Sequence, residues 1–484
     1  MTNYDKILNQ LQPKEFFKWF LEICKIPHGS KNESQLVNYI VAFAKERNIE
    51  YCVDQVGNVF MKLPATKGYE NQGVILFQAH LDMVCVKDQG VEFDFEKDAI
   101  NLEIVDDKLC AKGTSLGADN GVGVATMLAL ANSKQIAHPP LELVFTVDEE
   151  TGLNGIRDFD VSKITARRMI NMDCGDSHVL AVSSMGKKEG EIDRKFVVAP
   201  MDNDSCALKI TVDGGLGGHA SLRIRDGRAC AVNCLANLLC ALSSFSVQLA
   251  LLQTKGVAIF NHAEMVISVP VDHKQQIIDC LKESFTKIKT IYEKTDPNIN
   301  LSIVELDEKL NVIDNKSTME IADLLCQIKT APYREDGLDN SILLTLSVLS
   351  DVGLIDGKFN FKFYVRSSLD VDLGFLFDFY SRTAKRLGFE VNIKDAYSGW
   401  REVDISPFRE KAIKVHKNIF GNAPMLERVQ GGIETAIILQ KINDMDAIGF
   451  APTARGAHST KECIHLLETP DYWKWLIELL AHKE

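Results

Sequence analysis

The sequence predicts an α/β protein interrupted by a long α+β insertion, and three observations carry that expectation. Apolar runs at Ile75 to Asp82, Leu141 to Val147 and Arg168 to Met172 read as buried strands separated by helical stretches. Each run ends on acids or a histidine, and the carboxyl edge of an open α/β sheet is where ligand sites gather. From about Lys187 to Trp400 strands alternate with long amphipathic helices, and α/β character returns from Asp404 to Glu484. A chain of 484 residues exceeds one hydrophobic core, so two or three domains are expected.

In chain order, Phe17, Phe20, Leu21 and Cys24 follow the rhythm of a helix with one buried face. Ser30 and Glu33 form a capping-box pattern before a second helix carrying Leu36, Tyr39, Ile40 and Phe43. Short strands are expected near Glu50 to Val53 and Asn58 to Leu63, and a hairpin turning at Asp106 and Asp107 between Leu102 and Ala111. The small-residue loop Gly113 to Gly121 feeds a helix from about Val122 to Ala131. It lacks the GK[ST] ending and the spaced glycines of nucleotide-binding loops, and Asp119 at the helix start, taken alone, reads as an N-cap. Asp148, Glu149 and Glu150 form a run of three acids beyond a buried strand, which requires a cation or a polar network.

Within the insertion, strands are expected at Ala207 to Val212, Glu264 to Val269, Leu301 to Glu305, Ile342 to Val348, Phe359 to Val365 and Glu390 to Ile393. Helices are expected near Arg228 to Leu242, Gln275 to Tyr292, Thr318 to Ile328 and Phe375 to Leu387. The pattern suggests two similar halves without a sequence repeat. Thr469 and Pro470 start a final helix bearing Tyr472, Trp473, Leu476 and Leu479.

Composition limits the function classes. Apolar residues at 46% and charged residues at 25% are ordinary for globular chains, so disorder does not dominate. A net charge of −13 without basic clusters argues against nucleic acid or an anionic membrane as partner. No leader-like N-terminus or bilayer-length apolar run is present, so a cytoplasmic protein is expected. The 12 cysteines include no CxxC pair and read as reduced thiols.

Alone, His80 and Asp82 are a weak metal signal: two polar groups on one face where a strand meets a loop. The five segments Ala79-His80-Leu81-Asp82-Met83-Val84, Gly117-Ala118-Asp119-Asn120-Gly121, Asp148-Glu149-Glu150-Thr151-Gly152, Asn171-Met172-Asp173 and Gly456-Ala457-His458-Ser459 say more together. In this order they resemble the co-catalytic zinc metallopeptidases of the aminoacyl-histidine dipeptidase family, over essentially the whole chain.

The resemblance implies a zinc-peptidase-like mixed sheet, with a catalytic domain from residues 1–186 and 401–484 and an inserted lid and dimerisation domain at 187–400. It implies two Zn2+ ions, with Co2+ or Mn2+ as substitutes, one held by His80 and Asp173, the other by Glu150 and His458, and both bridged by Asp119. Such a pair polarises the scissile carbonyl and acidifies water. Glu149 is then the general base, and Asp82 the carboxylate that orients His80 or holds the loop near Asp119. The adjacency of Glu149 and Glu150 fits these separate jobs, because neighbouring side chains on extended backbone point apart. His219 in Gly217-Gly218-His219 corresponds to an oxyanion-stabilising histidine, Arg366 to the arginine receiving the substrate carboxylate, and Gly432 to a further substrate contact.

The chain departs from the family pattern at Ala220, in Val257-Ala258-Ile259-Phe260 and at Gln430. These changes spare every expected metal ligand and fall on groups that would hold substrate. Three functions are therefore expected in competition. The leading one is a zinc dipeptidase for short peptides with a free carboxylate, including those ending in histidine, acting as a homodimer joined through the lid. The others are an amidohydrolase for N-acyl amino acids or other small amides, and a binding protein that keeps metal without efficient turnover.

Overall fold

The computed structural model describes residues 3–256, 258–337 and 342–483. The chain divides into two compact units, Met1–Ser184 with Trp400–Val429 and Ile433–Glu484, and Met185–Gly399 with Gln430–Gly432. The second unit thus begins two residues before the expected boundary and recruits a short return segment. The Met185 amide donates to the Gly431 carbonyl at 3.0 Å, a pairing between distant residues that sequence spacing does not reveal.

The first unit is built on an eight-stranded sheet, ordered Glu50–Val53, Val59–Leu63, Leu141–Thr146, Ile75–His80, Arg168–Asn171, Asp446–Gly449, Val179–Ser184 and Met425–Val429. Ile75–His80 runs parallel to both Leu141–Thr146 and Arg168–Asn171, so the three predicted strands end at one edge. Ile75–His80 and Leu141–Thr146 are buried at every position, as expected of central parallel strands covered on both faces. Phe16, Phe17, Phe20, Phe77, Phe145, Tyr472 and Trp475 are fully buried in the core. A smaller four-stranded sheet pairs Leu102–Val105, Lys108–Ala111, Cys463–His465 and Ala454–Arg455.

Two local expectations fail in this unit. Ser30 and Glu33 form no capping box: Ser30 Oγ donates to Asp82 at 2.8 Å, while Glu33 accepts from the Lys31 and Asp148 amides. The helix Ser34–Glu46 starts without a side-chain cap, because both groups serve long-range partners. Asp119 is likewise no cap. Asn120 Oδ1 takes the Gly123 amide at 3.1 Å, which leaves the Asp119 carboxylate free for other partners.

The second unit holds a nine-stranded antiparallel sheet whose two halves share one plan. In the first half, Ser205–Asp213, helix Ala231–Ala241, Gln248–Lys255, His262–Pro270, helix Lys274–Ile291 and Asn300–Leu306 form a βαββαβ unit. Its strands lie in the spatial order fourth, first, third, second. The second half, from Gly186–Lys195, Leu343–Ile355, Lys358–Ser367 and Asn392–Tyr397 with helices Asn315–Gln327 and Asp370–Arg386, repeats that order. The halves meet edge to edge where Leu252 faces Leu354. Among the described residues no helix is long and apolar enough to cross a membrane.

Candidate metal centre

His80 closes its buried strand, Asp173 lies two residues beyond Arg168–Asn171, and Glu149 and Glu150 lie just beyond Leu141–Thr146. Asp119 enters from the loop opening helix Ala118–Asn132, and His458 from the turn between Ala454–Arg455 and Cys463–His465. Asp119 stands between the two imidazoles. Its Oδ1 is 3.0 Å from His80 Nε2, and its Oδ2 is 3.3 Å from His458 Nε2. Asp173 Oδ1 lies 3.3 Å from His80 Nε2, and Glu150 Oε1 lies 2.9 Å from His458 Nε2. His80, Asp119 and Asp173 therefore form one three-donor group and Asp119, Glu150 and His458 another, each with ligand atoms within 4.8 Å of one another.

The backbone around the acid run is a turn, not an extended chain. Asp148 has φ 53°, and the Glu149 carbonyl accepts from the Gly152 and Leu153 amides. Consequently Glu149 and Glu150 do not point apart. Their carboxylates converge with His80 within 4.8 Å. Asp148 turns away to Thr151 and Asn154, the polar network that makes the third acid tolerable.

Asp82 supports this turn. Its carboxylate accepts from the Glu149 amide at 2.9 Å and the Glu150 amide at 3.1 Å, so the loop it holds is that of the two glutamates and not one near Asp119. His80 Nδ1 lies 3.0 Å from the Asp82 carbonyl oxygen and 3.5 Å from its Oδ1. A carbonyl only accepts, so Nδ1 carries hydrogen and Nε2 faces Asp119 and Asp173.

The donor set is strongly anionic, and its proton affinities show it. Burial opposes charge on His80, but Asp173, Glu149 and the bond to Asp119 outweigh it and raise its pKa well above the ordinary value. Hydrogen bonds to Asp119 and Glu150 hold His458 up at about 10. Burial, reinforced by the Asp119 charge, pushes Asp173 up to about 7, and burial chiefly raises Glu149. Without metal, protons on the two imidazoles supply the positive charge that these carboxylates require. A pair of divalent cations fits the same donors, with Nε2 of His80 already aimed at the cluster.

Several contributors were not singled out in the sequence. Glu434 is fully buried; Thr146 Oγ1 donates to it at 2.5 Å and Gln78 Nε2 also donates to it. Asn171 Nδ2 donates to Gln78 Oε1 at 2.5 Å, and Asn171 Oδ1 accepts from the Asp173 amide at 2.9 Å. This layer underlies the three strand ends. Its signal was legible as polar residues inside apolar strands, Gln78 two before His80 and Asn171 two before Asp173, each on the same face as its neighbour. Glu462, which holds the Asp119 loop, gave no such signal.

The residues expected to hold substrate lie in the second unit. His219 precedes the short helix Ala220–Arg223, and Gly218 exchanges backbone hydrogen bonds with Ile259 at 3.1 and 3.2 Å. The departures at Ala220 and at Ala258 to Phe260 therefore fall around one loop, while Val257 lies outside the described residues. Arg366, on Lys358–Ser367, has buried Nε and Nη1 atoms with no hydrogen-bond partner among the described residues. Gly432 packs so closely on Tyr397 that a side chain would strike the ring.

Carboxylates and imidazoles gathered at the carboxyl edge of a mixed sheet define a candidate divalent-metal centre in an α/β protein. The profile of Peptidase family M20/M25/M40 matches residues 76–482, and the chain belongs to this family of metal-dependent peptidases. It is an enzyme that hydrolyses peptide bonds. The cytosol non-specific dipeptidase of Escherichia coli (strain K12) is 29% identical over 482 residues, covering 98% of both chains. The crystal structure of the aminoacylhistidine dipeptidase from Vibrio alginolyticus superposes with a TM-score of 0.89 at 25% identity, covering 98% of this chain and 97% of that one. An aminopeptidase from Bacillus cereus shares the fold at a TM-score of 0.57 and 18% identity, over 98% of this chain and 100% of its own.

Proposed function

We propose that this chain is a cytoplasmic dipeptidase working with two Zn2+ ions and accepting dipeptides that include Xaa-His. The observation that carries the reading is Asp119, one oxygen on His80 and the other on His458, at the junction of two three-donor groups. His80, Asp119 and Asp173 would hold one ion, and Asp119, Glu150 and His458 the other. When bound, such a pair polarises the scissile carbonyl and acidifies an attacking water. Glu149, whose carboxylate lies in the cluster with His80 and Glu150, would as carboxylate take the proton from that water and return it to the leaving amine. Asp82 fixes the Glu149 and Glu150 amides and, through its carbonyl, the His80 ring.

In the second unit, the Nε and Nη1 donors of Arg366, without a partner among the described residues, suit a substrate carboxylate. His219 stabilises the oxyanion, and Gly432 makes a further substrate contact. The size of the relatives' match, from end to end of this chain, supports a dipeptide substrate and a cytosolic setting. Residues 187–400 act as the lid and dimer interface in this reading.

A panel of Xaa-His dipeptides, other dipeptides and N-acyl amino acids, assayed with metal content measured in parallel, tests the proposal. Turnover of dipeptides with about two ions per chain is expected. Cleavage confined to N-acyl amino acids would identify an amidohydrolase, and bound metal without turnover a binding protein.

A further inference from the structure

Glu462 is buried, 2% exposed, and belongs to neither three-donor group. Its carboxylate accepts three backbone amides of the loop that delivers Asp119. Oε2 takes Leu116 at 2.7 Å and Gly117 at 2.9 Å, and Oε1 takes Asp119 itself at 3.0 Å. These amides precede the regular part of helix Ala118–Asn132, since Asp119 and Asn120 have non-helical dihedrals, so without Glu462 they would be buried donors lacking a partner. Gly117 adopts φ 73°, and a side chain there would strike Met83 and His28, so the loop has little freedom to find another acceptor.

The origin of Glu462 matters as much as its contacts. It ends the turn that presents His458, and that turn is tied by Ser459 Oγ to the Gly456 carbonyl at 2.6 Å and by the Glu462 amide to the Ser459 carbonyl at 3.2 Å. The next residue, Cys463, is registered against Cys110 in the small sheet. One turn therefore supplies an imidazole from its middle and clamps the backbone of the bridging carboxylate from its end.

We infer that Glu462 is the positioning residue for Asp119, coupling the His458 turn to the carboxylate shared by both ions, so that its loss weakens both ions together. This rests on the two-metal reading of the centre. A residue holding only one ligand of one ion would weaken that ion alone.

The test is a metal titration of the chelator-stripped full chain with Zn2+, followed by competition with a chromogenic chelator, for the wild type, Glu462→Gln and Glu462→Asp. The amide of Glu462→Gln turns a donor toward the loop amides, and Glu462→Asp cannot span all three. Glu142→Gln is the matched control: Glu142 is also buried and accepts the Thr165 and Ala166 amides, but at the opposite end of its strand. Both dissociation constants should rise about 10-fold to 100-fold in Glu462→Gln and by less in Glu462→Asp, while Glu142→Gln binds as the wild type does. Should Glu462→Gln fail to fold, Glu462→Asp carries the same expectation. A wild type that takes up no zinc would sink the metal centre itself. A wild type binding two ions, with unchanged affinities in Glu462→Gln or Glu462→Asp or a loss confined to one ion, would overturn the coupling role alone.

Discussion

Substituting Asp82 with Asn tests the support beneath the centre in the metal-free protein. Burial opposes its charge, but His80, the Glu149 amide and Ser30 hold its carboxyl down at about 2 against an ordinary 3.8. A depressed carboxyl stabilises the fold above its unfolded pKa, and the contribution disappears as pH falls through the folded value. The difference corresponds to about 2 kcal/mol at neutral pH. Asp82→Asn forfeits this and turns an amide donor toward two backbone amides and a hydroxyl, adding about 1 to 2 kcal/mol for a donor left without a partner. The metal-free variant should melt about 3 to 4 °C below the wild type at about pH 7, because the unfolding entropy of a 484-residue chain spreads these few kcal/mol over a small shift. The gap should narrow by about half on acidification between about pH 4 and pH 2, as the wild type loses the charge-linked part that the variant never had. Thermal unfolding of chelator-treated protein across that range measures both. An unchanged transition at neutral pH, or a gap of the same size at about pH 2 as at about pH 7, would refute the assignment of Asp82 as the charged anchor of the Glu149 turn.

Other expectations follow from the same geometry. Glu149→Ala should lower turnover by about two to four orders of magnitude while retaining both ions by elemental analysis, and undiminished activity would remove it as the base. Asp119→Ala should lose metal from both positions, because its two oxygens serve both groups, and full occupancy would contradict bridging. Glu434, pushed up to about 8 by burial against an ordinary 4.5, keeps a proton in the fold that the unfolded chain releases. Its stabilising contribution is therefore complete below about pH 4.5 and lost as pH rises through about 8. Glu434→Gln should gain stability relative to the wild type across that rise in chelator-treated protein, and parallel pH profiles would contradict a neutral Glu434.

The legible parts of this protein were those whose signal is local. Ile75–His80 and Leu141–Thr146 announce themselves as apolar runs because both faces of a central parallel strand are covered. The strand Gly186–Lys195 went unseen for the opposite reason. Its charges are neutralised across the sheet, as where Lys362 and Lys394 both meet Glu191, so a well-paired strand carries a polar sequence. Gln248–Lys255 was also missed, though it forms the seam between the two halves of the second sheet.

At the centre, five short motifs in the order of a known family brought His80, Asp119, Glu149, Glu150, Asp173 and His458 onto one list, as that resemblance implied. Residue type and strand ends alone left His80 a weak metal signal and Asp119 a helix cap, and it was the resemblance to a metallopeptidase family that joined them. What each neighbour does was decided only by folding. Ser30 and Glu33 spell a helix cap but turn to Asp82 and Asp148, and Glu149 and Glu150 converge because Asp148 takes a left-handed turn. Glu462 meets Leu116 across 346 residues of chain. A hydrogen bond is satisfied by whichever partner the fold brings within reach, and sequence proximity fixes that partner only within a turn or a helix.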